Sequence, residues 1–260
     1  MDVENSKIIG IVGGMGPQAG IALYEKLIGN TQATTDQQHL SVVLMSFPKN
    51  MVDRTLFLEG QVSINPAYEI ANVIKKLIIS GAEVIGIACN TSHSAAIFDV
   101  ITSEVSKFGR KIKLLHMPLE VCNHISKNHS QLSRIGLMVT NGTYRSGVYK
   151  NLLQERGFEI IIPDRIFQNN VIHKMIYDLE IGIKANPTII REEAQLLCNE
   201  ALLFFKQKNV EAIILGCTEL SMILKTNEVD GMLIIDSNEC FAKALIREAL
   251  ISEFVKTNTL

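Results

Sequence analysis

The 260-residue chain has no excess of either charge: 25 Lys and Arg against 27 Asp and Glu leave a formal net charge of −2. That balance gives no basic footprint for nucleic acid or for an acidic membrane surface. No apolar run approaches the ~18 residues that a membrane helix needs. The opening, Met1-Asp2-Val3-Glu4-Asn5-Ser6-Lys7, is acidic and polar rather than basic then apolar, which argues against a secretory signal. Five cysteines (Cys89, Cys122, Cys198, Cys217 and Cys240) are an odd number without a CxxC pair, so neither a disulfide framework nor a zinc ribbon is indicated. A reducing cytoplasm is the expected compartment. Gly14-Met15-Gly16 with Gly20 has the look of a dinucleotide turn, but no acidic residue ends the second strand at Ser46-Phe47-Pro48 to hold a ribose. What remains is an ordinary globular composition, 47% hydrophobic and 20% charged, long enough for one large or two small domains.

Strands and helices alternate along the chain. Lys7 to Val12, Ser41 to Phe47, Val84 to Ala88 and Ile112 to Met117 read as strands of a first series, the last ended by Pro118. Between them lie a Gly-rich turn with Pro17 opening a helix to Ile28, an irregular polar stretch from Pro48 to Pro66, and an amphipathic helix from Ala67 to Ser80 closed by Gly81. A second series follows. Arg134 to Thr140 and Phe158 to Ile162 are expected strands, with a helix from Tyr144 to Arg156 between them. Helices are expected over Asn169 to Ile183 and Pro187 to Lys208, then strands at Val210 to Gly216 and Met232 to Ile235, and a closing helix from Asn238 to Val255.

The series are related. Ile9-Gly10 precedes a Gly-containing turn and a helix bearing Leu23-Tyr24; Ile135-Gly136 precedes another such turn and a helix bearing Val148-Tyr149. A cysteine follows each opening by some 80 residues, a spacing too long for a solenoid, which points to a duplicated domain. The expected fold is α/β: two pseudo-symmetric three-layer domains with mostly parallel sheets and the active site in the cleft between them. The boundaries fall at residues 1–117 plus 236–260 and at 118–235, the final strand and helix returning toward the first domain.

Each cysteine ends an apolar strand. Cys89 is followed by Asn90-Thr91-Ser92-His93 and Cys217 by Thr218-Glu219-Leu220, polar residues that suit a helix N-terminus. Open α/β sheets place ligands at such handovers, and the positive end of a helix favours thiolate. Two thiols facing one cleft can exchange a proton at a carbon next to a carboxylate, one as base and one as acid. Each sulfur must approach within ~3.5 Å of that carbon, so the pair sits roughly 7 Å apart, too far for a disulfide. Backbone N–H groups and the hydroxyls of Thr91 and Thr218 would hold the carboxylate as charge develops. A lone buried cysteine is more simply a small core residue, and Cys122, Cys198 and Cys240, with helical apolar neighbours, keep that reading. The matching handovers set Cys89 and Cys217 apart.

Three stretches, Gly13-Gly14-Met15-Gly16-Pro17, Ala88-Cys89-Asn90-Thr91-Ser92-His93 and Gly216-Cys217-Thr218-Glu219, make the chain resemble the cofactor-independent aspartate/glutamate racemase superfamily, and most closely its aspartate racemase branch. Val52-Asp53-Arg54-Thr55, Thr140-Asn141-Gly142-Thr143 followed by Ser146-Gly147-Val148-Tyr149, and Gly182-Ile183-Lys184-Ala185 are weaker matches in family order. The resemblance implies a catalytic cysteine from each domain, no pyridoxal phosphate or other cofactor, a small amino-acid substrate and a homodimer. It implies that Arg54 and Lys184 grip the distal carboxylate, that Asn90, Thr91, Thr143 and Thr218 serve the α-carboxylate, and that Met15 touches substrate. Val12-Gly13-Gly14 and Glu219 stand where glutamate racemases carry an acidic residue and a His, which favours the aspartate branch. Ser92 and Gly20 depart mildly from the branch pattern and leave the substrate range open.

The simpler readings differ by residue. Arg54 is otherwise a solvated loop residue, and Lys184 a complement to a helix C-terminus. His93 either tunes the Cys89 thiolate or packs on a helix. Glu219 either orients neighbouring groups or is a carboxylate in a first helical turn, and the latter is enough to explain its presence. A zinc site of Cys89, His93, Cys217 and Glu219 matches no metal-ligand spacing. Two rival functions stay open: a single-cysteine isomerase or decarboxylase on the same scaffold, and a catalytically silent small-molecule binding protein.

Overall fold

A computed structural model describes residues 3–250. Its strands are β1 (Ile9–Gly13), β2 (Val42–Ser46), β3 (Val84–Ile87), β4 (Lys113–Leu114), β5 (Arg134–Val139), β6 (Glu159–Ile161), β7 (Ala212–Gly216), β8 (Glu228–Val229) and β9 (Met232–Asp236). The first sheet has the order β2-β1-β3-β4, and every pair is parallel. The second has the order β6-β5-β7-β9 with parallel pairing, plus β8 antiparallel on its edge. In each half the leading strand is central, the next pairs on one side, and the third crosses to the other and carries a cysteine at its end. The expected α/β architecture of two like-wound, mostly parallel halves is what the chain adopts.

The helices are α1 (Pro17–Asn30), α2 (Arg54–Leu58), α3 (Ala67–Ile79), α4 (Ala95–Ser106), α5 (Met117–Asn128), α6 (Asn141–Ser146), α7 (Val148–Gln154), α8 (Arg165–Phe167), α9 (Lys174–Tyr177), α10 (Glu192–Gln207) and α11 (Ser237–Leu250). Strands such as β1 and β7 are buried along their whole length because helices cover both faces, which is why they read as unbroken apolar runs. On the first sheet α3 and α4 supply one apolar layer, and α1 with α11 supplies the other. On the second, α9 and α10 lie on one side, and α5 and α7 on the other. The Ile-Gly pair opening each half has a packing reason. A Cβ at Gly10 would lie 2.9 Å from the Ala82 Cβ, and one at Gly136 would lie 2.6 Å from Phe205 of α10. Among the described residues no helix is long and apolar enough to cross a membrane.

Several boundaries differ from the sequence expectation. Pro118 does not end a strand but sits in the first turn of α5, where its missing N–H is harmless; β4 is only two residues long. The helix expected from Tyr144 begins earlier, at Asn141, because Thr140 caps it, and it breaks at Gly147, whose φ is +66°. The helix expected over Asn169 to Ile183 instead runs from Arg165 through a π turn (Gln168–His173) and stops at Tyr177. Asp178 accepts hydrogen bonds from the N–H groups of Glu180 and Ile181, forming a turn in place of further helix. The final strand, β9, does not return to the first half but pairs with β7; only α11 returns, against α1, α5 and β3. The expected end of that helix, residues 251–255, lies outside the described residues, as does the opening Met1-Asp2.

Candidate active site

Both cysteines arrive at the carboxyl ends of central strands and line one narrow cavity of about 10 Å³. Each has extended backbone and leads into a 3-10 turn, Asn90–His93 after Cys89 and Thr218–Met222 after Cys217. Neither stands directly at an α-helix as expected. Helix α4 starts only at Ala95, and the chain after Met222 turns away toward β8. The dipole available to either sulfur is that of a single turn.

The cavity is charged unequally on its two sides. On the Cys89 side, Asp53 caps α2 by accepting from the Thr55 and Leu56 N–H groups at 2.8 and 2.9 Å, and the turn so fixed drives Arg54 inward until it is 6% exposed. Two of the five guanidinium donors are committed, Nη1 to the Val52 carbonyl at 3.1 Å and Nη2 to the Met15 carbonyl at 3.2 Å. Arg54 Nε is buried without a partner. Burial works against the Arg54 charge, but the nearby Cys89 sulfur, Tyr177 and Asp53 keep it protonated.

On the Cys217 side, a single carboxylate gathers the donors. Glu219 accepts from the Cys217 thiol at 3.1 Å, the Thr218 hydroxyl at 2.9 Å and the Gly16 N–H at 3.2 Å, and it is paired with the Lys184 ammonium. Burial alone would raise the Glu219 pKa, but Lys184 and these donors hold it down to about 2. Burial and the adjacent Glu219 carboxylate push the Cys217 thiol well above its ordinary value, against the pull of Lys184. The expectation that a helix N-terminus would favour thiolate fails at Cys217, because one turn's dipole does not offset a desolvated carboxylate on the sulfur. Lys184 also lies over the Tyr177 ring, 5.5 Å from its centroid.

The remaining candidates divide. Met15, Asn90, Thr91 and Thr218 line the cavity with Arg54 and Lys184. Thr143 does not; its hydroxyl lies 2.9 Å from that of Thr91, and Thr140, 3.0 Å from the same hydroxyl, takes the lining position instead. Asn90 is held by structural partners, accepting from the Tyr149 hydroxyl at 2.5 Å and donating to Ser237 Oγ at 3.1 Å. His93 does not reach the Cys89 thiol. Its Nδ1 is 2.9 Å from the Cys89 carbonyl, its ring stacks on Phe98, and burial with the nearby His116 lowers it to about 3, so it is neutral. Cys122, Cys198 and Cys240 are buried in the cores, where desolvation pushes each thiol up to about 12.

Of the two readings open for Glu219, its contact with the Cys217 thiol fits the orienting one. Two further groups meet the site without being sequence candidates. Thr140 was legible as the residue preceding a helix. Tyr177, whose hydroxyl donates to Asp53 Oδ2 at 3.1 Å and lies 3.4 Å from Thr55 Oγ1, carried no local signal, since the contact spans 124 residues.

Two like-wound α/β halves closing on a shared cavity are the fold of a racemase family. The Asp/Glu/Hydantoin racemase family model matches residues 12–245, and the chain belongs to that family. It is similar to the broad specificity amino-acid racemase RacX of Bacillus subtilis (strain 168), with 25% identity over 246 residues covering 92% of this chain and 96% of the relative. Among solved structures it is similar to Picrophilus torridus aspartate racemase, with 31% identity, 94% coverage of each chain and a TM-score of 0.77. An aspartate racemase homologue from Pyrococcus horikoshii OT3, at 24% identity, 94% and 99% coverage and a TM-score of 0.69, shares the fold.

Proposed function

We propose that the protein is a cofactor-independent racemase that interconverts L- and D-aspartate through Cys89 and Cys217. The observation that carries this reading is the single cavity lined by a cysteine from each half, with Arg54 beside one and Lys184 beside the other. One thiolate takes the α-proton: the Cα–H bond breaks, an S–H bond forms, and the electron pair left on carbon spreads into the α-carboxylate. The opposite thiol then gives its proton to the other face and becomes thiolate. The Thr91 and Thr218 hydroxyls and nearby N–H groups would meet the charge that develops on the carboxylate. Arg54 retains three free donors and Lys184 two, enough for a distal carboxylate without breaking their present bonds. The narrow cavity favours a short acidic side chain. Residues 1–117 plus 236–260 and 118–235 are taken as the two domains, in a cytoplasmic homodimer.

In D₂O without added cofactor, either enantiomer of aspartate should gain deuterium at Cα as optical rotation decays. Cys89→Ala and Cys217→Ala should each lower racemisation by at least roughly a hundredfold, the range of a lost acid–base group. Retained turnover in Cys217→Ala would establish the single-cysteine chemistry instead, and saturable binding without exchange would establish a silent binder. Likeness to a broad specificity racemase gives a second substrate reading, so the same assay should include glutamate and neutral amino acids.

A further inference from the structure

We propose that Glu219 is a positioning residue that makes the two thiols unequal in the resting protein, holding Cys217 as the proton donor and leaving Cys89 as the base. This rests on the two-thiol reading above and assigns a direction to it. The geometry is asymmetric although the halves are wound alike. Cys217 donates its thiol proton to Glu219 at 3.1 Å, a bond that a thiolate cannot make. Cys89 faces the Arg54 guanidinium in place of a carboxylate. Lys184 would otherwise do for Cys217 what Arg54 does for Cys89, but its ammonium is paired with Glu219. The carboxylate is itself fixed by the Gly16 N–H and the Thr218 hydroxyl, so it cannot swing off the sulfur without losing both. The other ionisable groups facing this cluster are Tyr177, whose ring Lys184 lies over, and Arg54.

The consequence is a cycle with a preferred resting form. When Cys89 takes a proton from substrate and Cys217 gives one up, the protein is left with a Cys89 thiol and a Cys217 thiolate beside Glu219. Like charges then adjoin in a desolvated site, which drives a proton back from Cys89 to Cys217 through solvent or through the opposite enantiomer. One enantiomer therefore meets the protein in its resting protonation state, and the other meets the disfavoured one.

The test is thiol alkylation with iodoacetamide, read residue by residue by mass spectrometry from pH 6 to 10. In the wild type Cys89 should be modified first and Cys217 last at neutral pH. Glu219→Gln keeps the shape, removes the charge and frees Lys184, so Cys217 labelling should accelerate roughly tenfold for each unit its titration falls. Glu219→Asp should restore much of the wild-type order. Lys184→Met should move Cys217 the other way and slow its labelling further. An unchanged Cys217 pH profile in Glu219→Gln, or wild-type labelling that begins at Cys217, would overturn the assignment. Labelling does not depend on turnover, so the absence of Cα exchange with every amino acid would refute the racemase reading separately.

Discussion

His93 shows how burial can turn a titratable residue into a structural one. Its ring, bonded to the Cys89 carbonyl and enclosed by Phe98, His116 and Phe241, stays neutral to about pH 3, whereas in the unfolded chain it protonates near its ordinary 6.5. A folded pKa below the unfolded one means that the stability is present above pH 6.5 and is lost as pH falls from there toward 3. The slope is about 1.4 kcal/mol per pH unit, on the order of 5 kcal/mol over the whole window. His93→Asn should flatten the fall in urea midpoint between pH 6.5 and 4.5. Burial lowers His116, His124 and His173 as well, so some slope will persist. At this scale the sequence pointed to residues that share one cavity, and said less about their pairing. Cys89, Cys217, Arg54 and Lys184 stand out by position, but the Lys184–Glu219 pair joins residues 35 apart, and the thiol asymmetry exists only once they meet.

Short elements deliver the long side chains. Helix α2 is five residues long, too short to persist by itself, and its first turn is fixed by the Asp53 cap and by Tyr177 bonded to the other carboxylate oxygen. Asp53→Ala should cost about 1 to 2 kcal/mol by loss of the cap. On the proposed activity it should also loosen Arg54, raising KM for aspartate more than it lowers kcat, which steady-state kinetics beside a thermal melt will separate. A variant with unaltered KM would detach this turn from substrate binding. The long amphipathic helices and buried strands were readable from periodicity, because burial of one stripe or of both faces leaves a strong pattern. The misread segments were those governed by side-chain caps. Thr140 started a helix early, Asp178 stopped one, and Pro118 opened one where a strand end was expected.

For the whole molecule, the duplicated winding was visible in the paired Ile-Gly openings and the spacing of the cysteines, since each reflects one half's internal packing. The return of α11 across the molecule was only partly visible, because nothing local in Ser237–Leu250 says which sheet it will cover. It lies over β3, where a Cβ on Gly86 would come within 2.8 Å of Phe241 and 3.0 Å of Leu245. The strand leading to Cys89 therefore lacks part of its roof until Ser237–Leu250 is in place. The first half waits on α11, and a chain lacking it should remain protease-sensitive around Val84–Ile87. Pulse proteolysis of released fragments ending at 236 and 250 would show protection only in the longer, and equal protection in both would refute this order of assembly. The enzyme would thus be built so that its first thiol is seated only after its second has been made.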